Sequence, residues 1–294
     1  MFRFCVFPGD AIHLAGTLPP RHQPVSGVTV LRDCVYVVRR WTSDVEVYDA
    51  DTFRSTDTFK VALLRRPIDL TSCKSPGCLF IADLIPPYEI HRVDVTDRLA
   101  PTRWPLENKK PEGLSVTPDD ARVLVACIDA REIKEFLTDG QPGRTISLPD
   151  DMKNTTHAIA FESTFIICHG WSSDSLNRVC ILNENGIVRQ QARESRCWMS
   201  HLAVDSRGNI FVADYDNQRI LKFTRSLSRV GELATERGIR RSLRPWRMCL
   251  DEDRGLLYVS DDQRNDVLII NLREDITFRD VINDNILNSA SNKM

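Results

Sequence analysis

The sequence predicts an all-β chain closed into a six-bladed β-propeller of four-stranded antiparallel blades, and three observations lead there. A strand–turn–strand–turn–strand pattern recurs along the chain, its period matches one propeller blade, and Gly, Asn and Asp punctuate each copy at the turns. The clearest copy runs from His201 to Phe223. Leu202 to Val204 reads as a strand, Asp205-Ser-Arg-Gly-Asn209 as a turn, Ile210 to Ala213 as a second strand, and Arg219 to Phe223 as a third after Asp214-Tyr-Asp-Asn217. Taking the central apolar residue of each first strand as a register mark gives Val28, Leu70, Leu114, Ile159, Leu202 and Met248, with steps of 42, 44, 45, 43 and 46 residues. Six marks at that period mean six blades.

The remaining elements follow in order. Second strands are Val35–Val38, Leu79–Ala82, Val123–Ala126, Phe165–Cys168, Ile210–Ala213 and Leu257–Ser260. Third strands are Val45–Tyr48, Ile90–Val93, Ile133–Phe136, Val179–Leu182, Ile220–Phe223 and Val267–Ile270. Fourth strands are less regular, with Thr145–Leu148 and Val230–Leu233 the best formed. An open ring would leave two unpaired sheet edges, so closure is required. Ala11–Leu14 is placed to join the last blade, and Ile276–Val281 competes for that slot. The expected organisation is therefore an N-terminal closing strand in 1–23, the propeller in 24–274, and a strand or polar tail in 275–294.

Leu202-Ala-Val-Asp205, Gly208-Asn-Ile-Phe-Val-Ala-Asp214 and Asn217-Gln-Arg-Ile220 resemble an NHL repeat, and Met248-Cys-Leu-Asp251 with Gly255-Leu-Leu-Tyr-Val-Ser-Asp261 resembles the next one. The resemblance covers roughly residues 10 to 275 and is strongest in the fifth and sixth blades. It implies a six-bladed ring like that at the C-terminus of tripartite-motif ubiquitin ligases, with protein or RNA recognition on one face. Where the family ends its second strand in Asp, this chain has Asp83, Asp214 and Asp261, but Arg39, Cys127 and His169 in the other blades.

Composition narrows the classes. The chain is 42% hydrophobic and 27% charged, enough to bury a large core, and its net charge of −2 is no footprint for double-stranded DNA. No apolar run approaches the length of a membrane span, and Met1 to Pro8 is too short for a signal peptide. The nine cysteines include no Cys-x-x-Cys pair, and most fall singly in strands, where a thiol acts as a small apolar filler. A reducing, cytoplasmic setting, no membrane association, no disulfides and a monomeric propeller are the corresponding expectations. No ring-finger ligand set is present in the sequence.

Function has to come from a site, because this fold hosts enzymes and binding modules alike. In a four-stranded blade the loop entering strand one and the loop joining strands two and three emerge on the same face. That face collects Arg39, Arg40, Trp41, Arg65, Arg66, His169, Trp171, Trp198, His201, Tyr215, Arg244, Trp246 and Arg247, and with them four of the five Trp residues. Arg beside Trp offers charge together with a stacking plane, which suits a protein hot spot or the bases and phosphates of single-stranded RNA. The mixed charge of the same loops fits a protein somewhat better. In Asp214-x-x-Asn217-x-Arg219, the aspartate is expected to cap turn amides and the arginine to tie strands.

The opposing class is a metal-dependent hydrolase or lactonase working in the central channel of such a ring. Asp69, Glu112, Asn154, His157, His169 and His201 lie at the channel entrances as a scattered set, and no Gly-x-Ser-x-Gly, phosphate loop or His-Glu-x-x-His occurs. A non-enzymatic binding scaffold without metal or cofactor is the reading preferred from sequence.

Overall fold

The computed structural model describes residues 23–98, 101–170, 177–194, 197–234 and 243–272, and all regular structure in them is strand. Five sheets have four strands in meander order, and the sixth has three among the described residues. Every pairing is antiparallel. The inner strands are Val25–Leu31, Pro67–Cys73, Pro111–Val116, Thr155–Phe161, Met199–Val204 and Pro245–Asp251. Each packs on the next, and the sixth packs on the first, so the ring is closed. Both candidate closing strands, Ala11–Leu14 and Ile276–Val281, lie outside the described residues.

Why these residues form blades is visible in burial. Second strands are covered on both faces by neighbouring blades and read as continuous apolar runs, as in fully buried Leu79-Phe-Ile-Ala82. Fourth strands form the rim and are polar, as in Ser55–Lys60 and Pro142–Ser147. The core is accordingly divided among the gaps between blades. One cluster joins Phe80, Trp104 and Phe136 across blades two and three, with Trp104 stacked on Phe136 at 5.7 Å. The eight described cysteines are free, and burial pushes the Cys168 thiol up to about 12.

One register needs correcting. Pairing aligns Val28, Leu70, Leu114, Leu202 and Met248 with Val37, Val125 and their equivalents, but in blade four the equivalent residue is Ala158, opposite Ile167, not Ile159. The larger side chain was the more conspicuous, and the smaller one holds the position. Every inner strand also carries an irregularity just ahead of this mark, between Val25/Gly27, Pro67/Asp69, Thr155/His157, Met199/His201 and Pro245/Met248, and at Pro111 in blade three. Such bulges re-aim the side chain that follows.

Candidate functional site

With the register corrected, the residue preceding the mark in each blade is Gly27, Asp69, Gly113, His157, His201 and Arg247. These six are equivalent positions, and their bulges turn them toward the channel. The sequence reading left Asp69, His157 and His201 scattered; the structure brings them together. A ligand atom from each lies within 4.8 Å of the others. The imidazoles of His157 and His201 stack at 3.6 Å.

Arg247 was expected on a recognition loop, yet it is fully buried and lies across the channel. Its Nε donates to the Ile68 carbonyl at 3.1 Å, its two terminal nitrogens to the Ser200 and Glu112 carbonyls at 3.2 and 2.7 Å, and one of them also to Glu112 Oε1 at 3.1 Å. One side chain from blade six thus ties blades two, three and five. Asp69 Oδ1 lies 3.5 Å from Arg247 Nε, and Asp69 accepts the Leu70 and Leu114 amides at 2.9 and 2.7 Å. Burial acts to raise the Asp69 pKa, but Arg247 and His201 outweigh it and hold the carboxyl below its ordinary value. Burial dominates at Glu112, whose pKa is raised despite Arg247. Beyond this cluster the channel opens toward the opposite face as a well of about 240 Å³.

The tautomers decide what this cluster can do. His157 Nε2 lies 2.9 Å from the Leu114 carbonyl, which can only accept, so Nε2 carries the proton. His201 Nδ1 accepts the Met248 amide at 3.3 Å, so its proton sits on Nε2, 3.4 Å from Asp69 Oδ2. His201 Nε2 therefore has no lone pair for a metal, and a guanidinium already supplies the positive charge beside Asp69. His157 Nδ1, which has a lone pair and no hydrogen-bond partner among the described residues, and Asp69 are then the two remaining donors, too few for a divalent ion beside a guanidinium. Added zinc or calcium should leave the thermal midpoint unchanged, whereas a rise of several degrees in a melting curve would contradict this tautomer assignment.

Burial lowers the pKa of His157 well below its ordinary value, with His201 adding to the effect, and lowers that of His201 against the pull of Asp69. It takes His169 to about 4, helped by Arg178. The fold thus requires neutral imidazoles, while the unfolded chain protonates them near pH 6.5. Stability should be full above about pH 6.5 and fall as pH drops toward 4, by up to about 1.4 kcal/mol per pH unit for each histidine. Urea titrations at a series of pH values would show this, and a flat profile from pH 7 to 5 would contradict it.

The remaining predicted residues divide by depth. Arg39 is buried, donating to Glu46 Oε1 at 2.9 Å and to the Asn265 carbonyl at 2.7 Å, a tie between blades one and six. His169 and His201 are buried as well. Trp171 lies outside the described residues. Asp83 and Asp261 cap loop amides from Arg65, Arg66, Ile85, Arg244 and Gln263. Asp214 binds Asn217 and Arg219, the turn-capping and strand-tying role expected of that motif.

An aromatic cluster lies under the face, and Trp246, expected on a recognition loop, is buried in the core between blades with Trp198 and Tyr215 packed against it. Trp198, Tyr215 and Trp246 pack with centroids 4.8 to 5.7 Å apart. Arg40 and Arg247 lie 4.9 and 4.6 Å from the Trp246 ring, and Arg244 lies 5.5 Å from Tyr215. Arg40 pairs with Asp262 at 3.3 Å, which also accepts the Tyr215 hydroxyl at 2.8 Å. Next in sequence, Trp41 stands out from the surface with Arg66 over its ring at 4.3 Å. Arg65 beside it pairs with Asp83. Blades five, six, one and two therefore contribute to one surface.

Comparison with known proteins agrees with this architecture. Residues 200–223 match the NHL repeat model. No curated protein sequence matches the chain significantly. Among solved structures, hydrazine synthase from Kuenenia stuttgartiensis is similar with a TM-score of 0.64 at 13% identity, covering 88% of this chain and 99% of that one. A catalytically inactive virginiamycin B lyase from Staphylococcus aureus with quinupristin gives 0.62 at 11% identity, covering 89% of each chain. The Cps50 (Swd1) β-propeller domain of Myceliophteria thermophila gives 0.59 at 11%, covering 84% and 83%. At such identities the likeness is one of fold.

Proposed function

We propose, from a six-bladed ring whose fifth blade carries an NHL repeat, that this chain is a non-enzymatic recognition scaffold binding a protein partner on its Trp/Arg face. The observation that carries the reading is the exposed indole of Trp41 with Arg66 over it, continued by partly exposed Arg40, Tyr215 and Trp198, which rest on buried Trp246. Rigid aromatic rings flanked by guanidinium groups are the composition of interface hot spots. A protein is favoured over RNA because Arg40 and Arg65 are already matched by Asp262 and Asp83 and the chain is net negative, which leaves little charge for a phosphate backbone. The alternative is an enzyme, since the same fold is found in virginiamycin B lyase and hydrazine synthase. Against it stand the committed tautomers of the channel histidines and an arginine that fills the axis. In this reading the chain is the recognition part of a ligase-like protein, as its NHL resemblance implies, acting in the reducing cytoplasm that its buried single thiols suit.

The test compares wild type with a Trp41→Ala/Arg66→Ala variant, in affinity capture from lysate and against a random single-stranded RNA pool, each at two salt concentrations. The variant is expected to lose the captured protein, with wild-type capture only mildly salt-dependent. Retention of every partner by the variant would place the site elsewhere. Steeply salt-dependent RNA binding that the variant loses would make the ligand RNA.

A further inference from the structure

Two bulky apolar side chains on the recognition face are left in solvent, Trp41 at 56% and Leu63 at 63% exposure. Both sit at positive φ, 65° and 66°. That region is unfavourable for large L-residues by about 1–2 kcal/mol and persists only where the surroundings impose it. Here the loops are pinned: Thr42 N donates to the Arg39 carbonyl at 3.3 Å, Val61 N to the Ser43 carbonyl at 2.8 Å, and Leu64 N to the Val61 carbonyl at 3.3 Å. The two loops are joined to each other, and each presents its apolar side chain outward.

The arginines around this pair are not equivalent. Arg65 is consumed by Asp83 and by the Ile85 and Pro86 carbonyls at 2.7 and 3.1 Å, and Arg40 by Asp262. Arg66 lies over Trp41; its Nε is buried and lacks a hydrogen-bond partner, the residue as a whole is partly exposed, and it makes no ion pair among the described residues. A guanidinium resting over an indole is restricted in its motion, and the edge formed by its two terminal nitrogens is one a carboxylate can meet with two parallel bonds. Arg244 and Arg264 are exposed on the adjoining loops of blade six; Asp216 is the nearby exposed acid. Asp44, Asp83, Asp261, Asp262 and Asp266 share these loops, so the face as a whole is close to charge balance, and Arg66 beside Trp41 is a cation that no carboxylate matches among the described residues.

We infer that this patch takes an acidic peptide segment, whose apolar side chain lies against Trp41 and Leu63 while a neighbouring carboxylate binds the edge of Arg66. The inference rests on the protein-binding reading and adds the chemistry of the partner. The apolar contact gives affinity, the Arg66 fork selects the carboxylate, and the arginines of blade six repel basic competitors.

The experiment pans a random peptide display library on the full chain and measures the enriched peptides, made synthetically, by fluorescence anisotropy. Enriched peptides should carry Asp or Glu within a residue or two of Leu, Ile, Phe or Trp. Trp41→Ala and Arg66→Gln should each weaken them about tenfold or more, Arg66→Lys less, with unchanged melting temperatures. Arg66→Glu should shift enrichment toward basic peptides. Trp41-dependent peptides with no acidic excess, or binding indifferent to Arg66→Gln, would overturn the acidic assignment and leave the protein-binding reading standing. Peptides that bind independently of Trp41, or an RNA pool bound in their place, would overturn both.

Discussion

Arg247→Met should lower unfolding stability by about 3–5 kcal/mol, the cost of removing one partner from a buried ionic cluster. The loss would be read as a shift of the urea midpoint at unchanged slope. Three consequences add up in one substitution. Asp69 loses the charge that holds its carboxyl ionised in the channel, Glu112 loses its only charged hydrogen-bond donor among the described residues, and the carbonyls of Ile68, Ser200 and Glu112 lose a common donor. Against a total stability of about 5–15 kcal/mol, that is a large fraction. Arg247→Lys keeps the charge but not the fork, so it cannot reach three blades at once and should recover only part. Adding Asp69→Asn to Arg247→Met should return part of the loss, because the orphaned charge is then gone while an acceptor remains for the Leu114 amide. A midpoint within about 1 kcal/mol of wild type for Arg247→Met would mean that the cluster is solvated and not a closing tie.

The blades were legible because their information is local. Each strand pairs with its chain neighbour, so alternation and turn residues within one repeat suffice, and the period supplies the rest. Depth at the channel was not legible. Arg39, His169, His201 and Arg247 share a loop class with Arg40, Trp41 and Arg244, and nothing in their spacing separates buried from exposed. The separation comes from the bulge ahead of each register mark, which needs the partner strand to be seen. A signal existed nonetheless. Once Ala158 replaces Ile159 as the mark, Asp69, His157, His201 and Arg247 fall at one repeat position, and a column holding two glycines, an acid, two imidazoles and a guanidinium can only face an axis. That Arg40, Trp41, Arg66, Trp198 and Tyr215 share one face was legible by loop class, but which arginines are already paired depends on which aspartate each one meets.

One of the two glycines of that column, Gly113, gives the second large expected effect. A Cβ on Gly113 would fall on the Thr156 carbonyl oxygen and 2.7 Å from His157 Cδ2, with His157 Cα at 3.1 Å. These are largely backbone atoms of the next inner strand, and they cannot swing aside as a long side chain can. Gly113→Ala must therefore push blade four away from blade three at the channel wall, stretching the flanking bonds from Leu114 N to Asp69 and from His157 to the Leu114 carbonyl. Overpacking of this kind costs about 1–3 kcal/mol, and contact with backbone puts it at the upper end. Gly143→Ala is the control, on the outer strand of blade three, where the added carbon meets the Glu135 side chain and carbonyl at 3.1 Å. There the smaller strain is offset by about 0.4–1 kcal/mol from the reduced freedom of the unfolded chain. Urea titration should separate the two variants by about 2 kcal/mol or more. Equal midpoints would show that the inner strands can part at no cost, and the close approach of blades three and four would then not be what fixes the histidine pair against the axis.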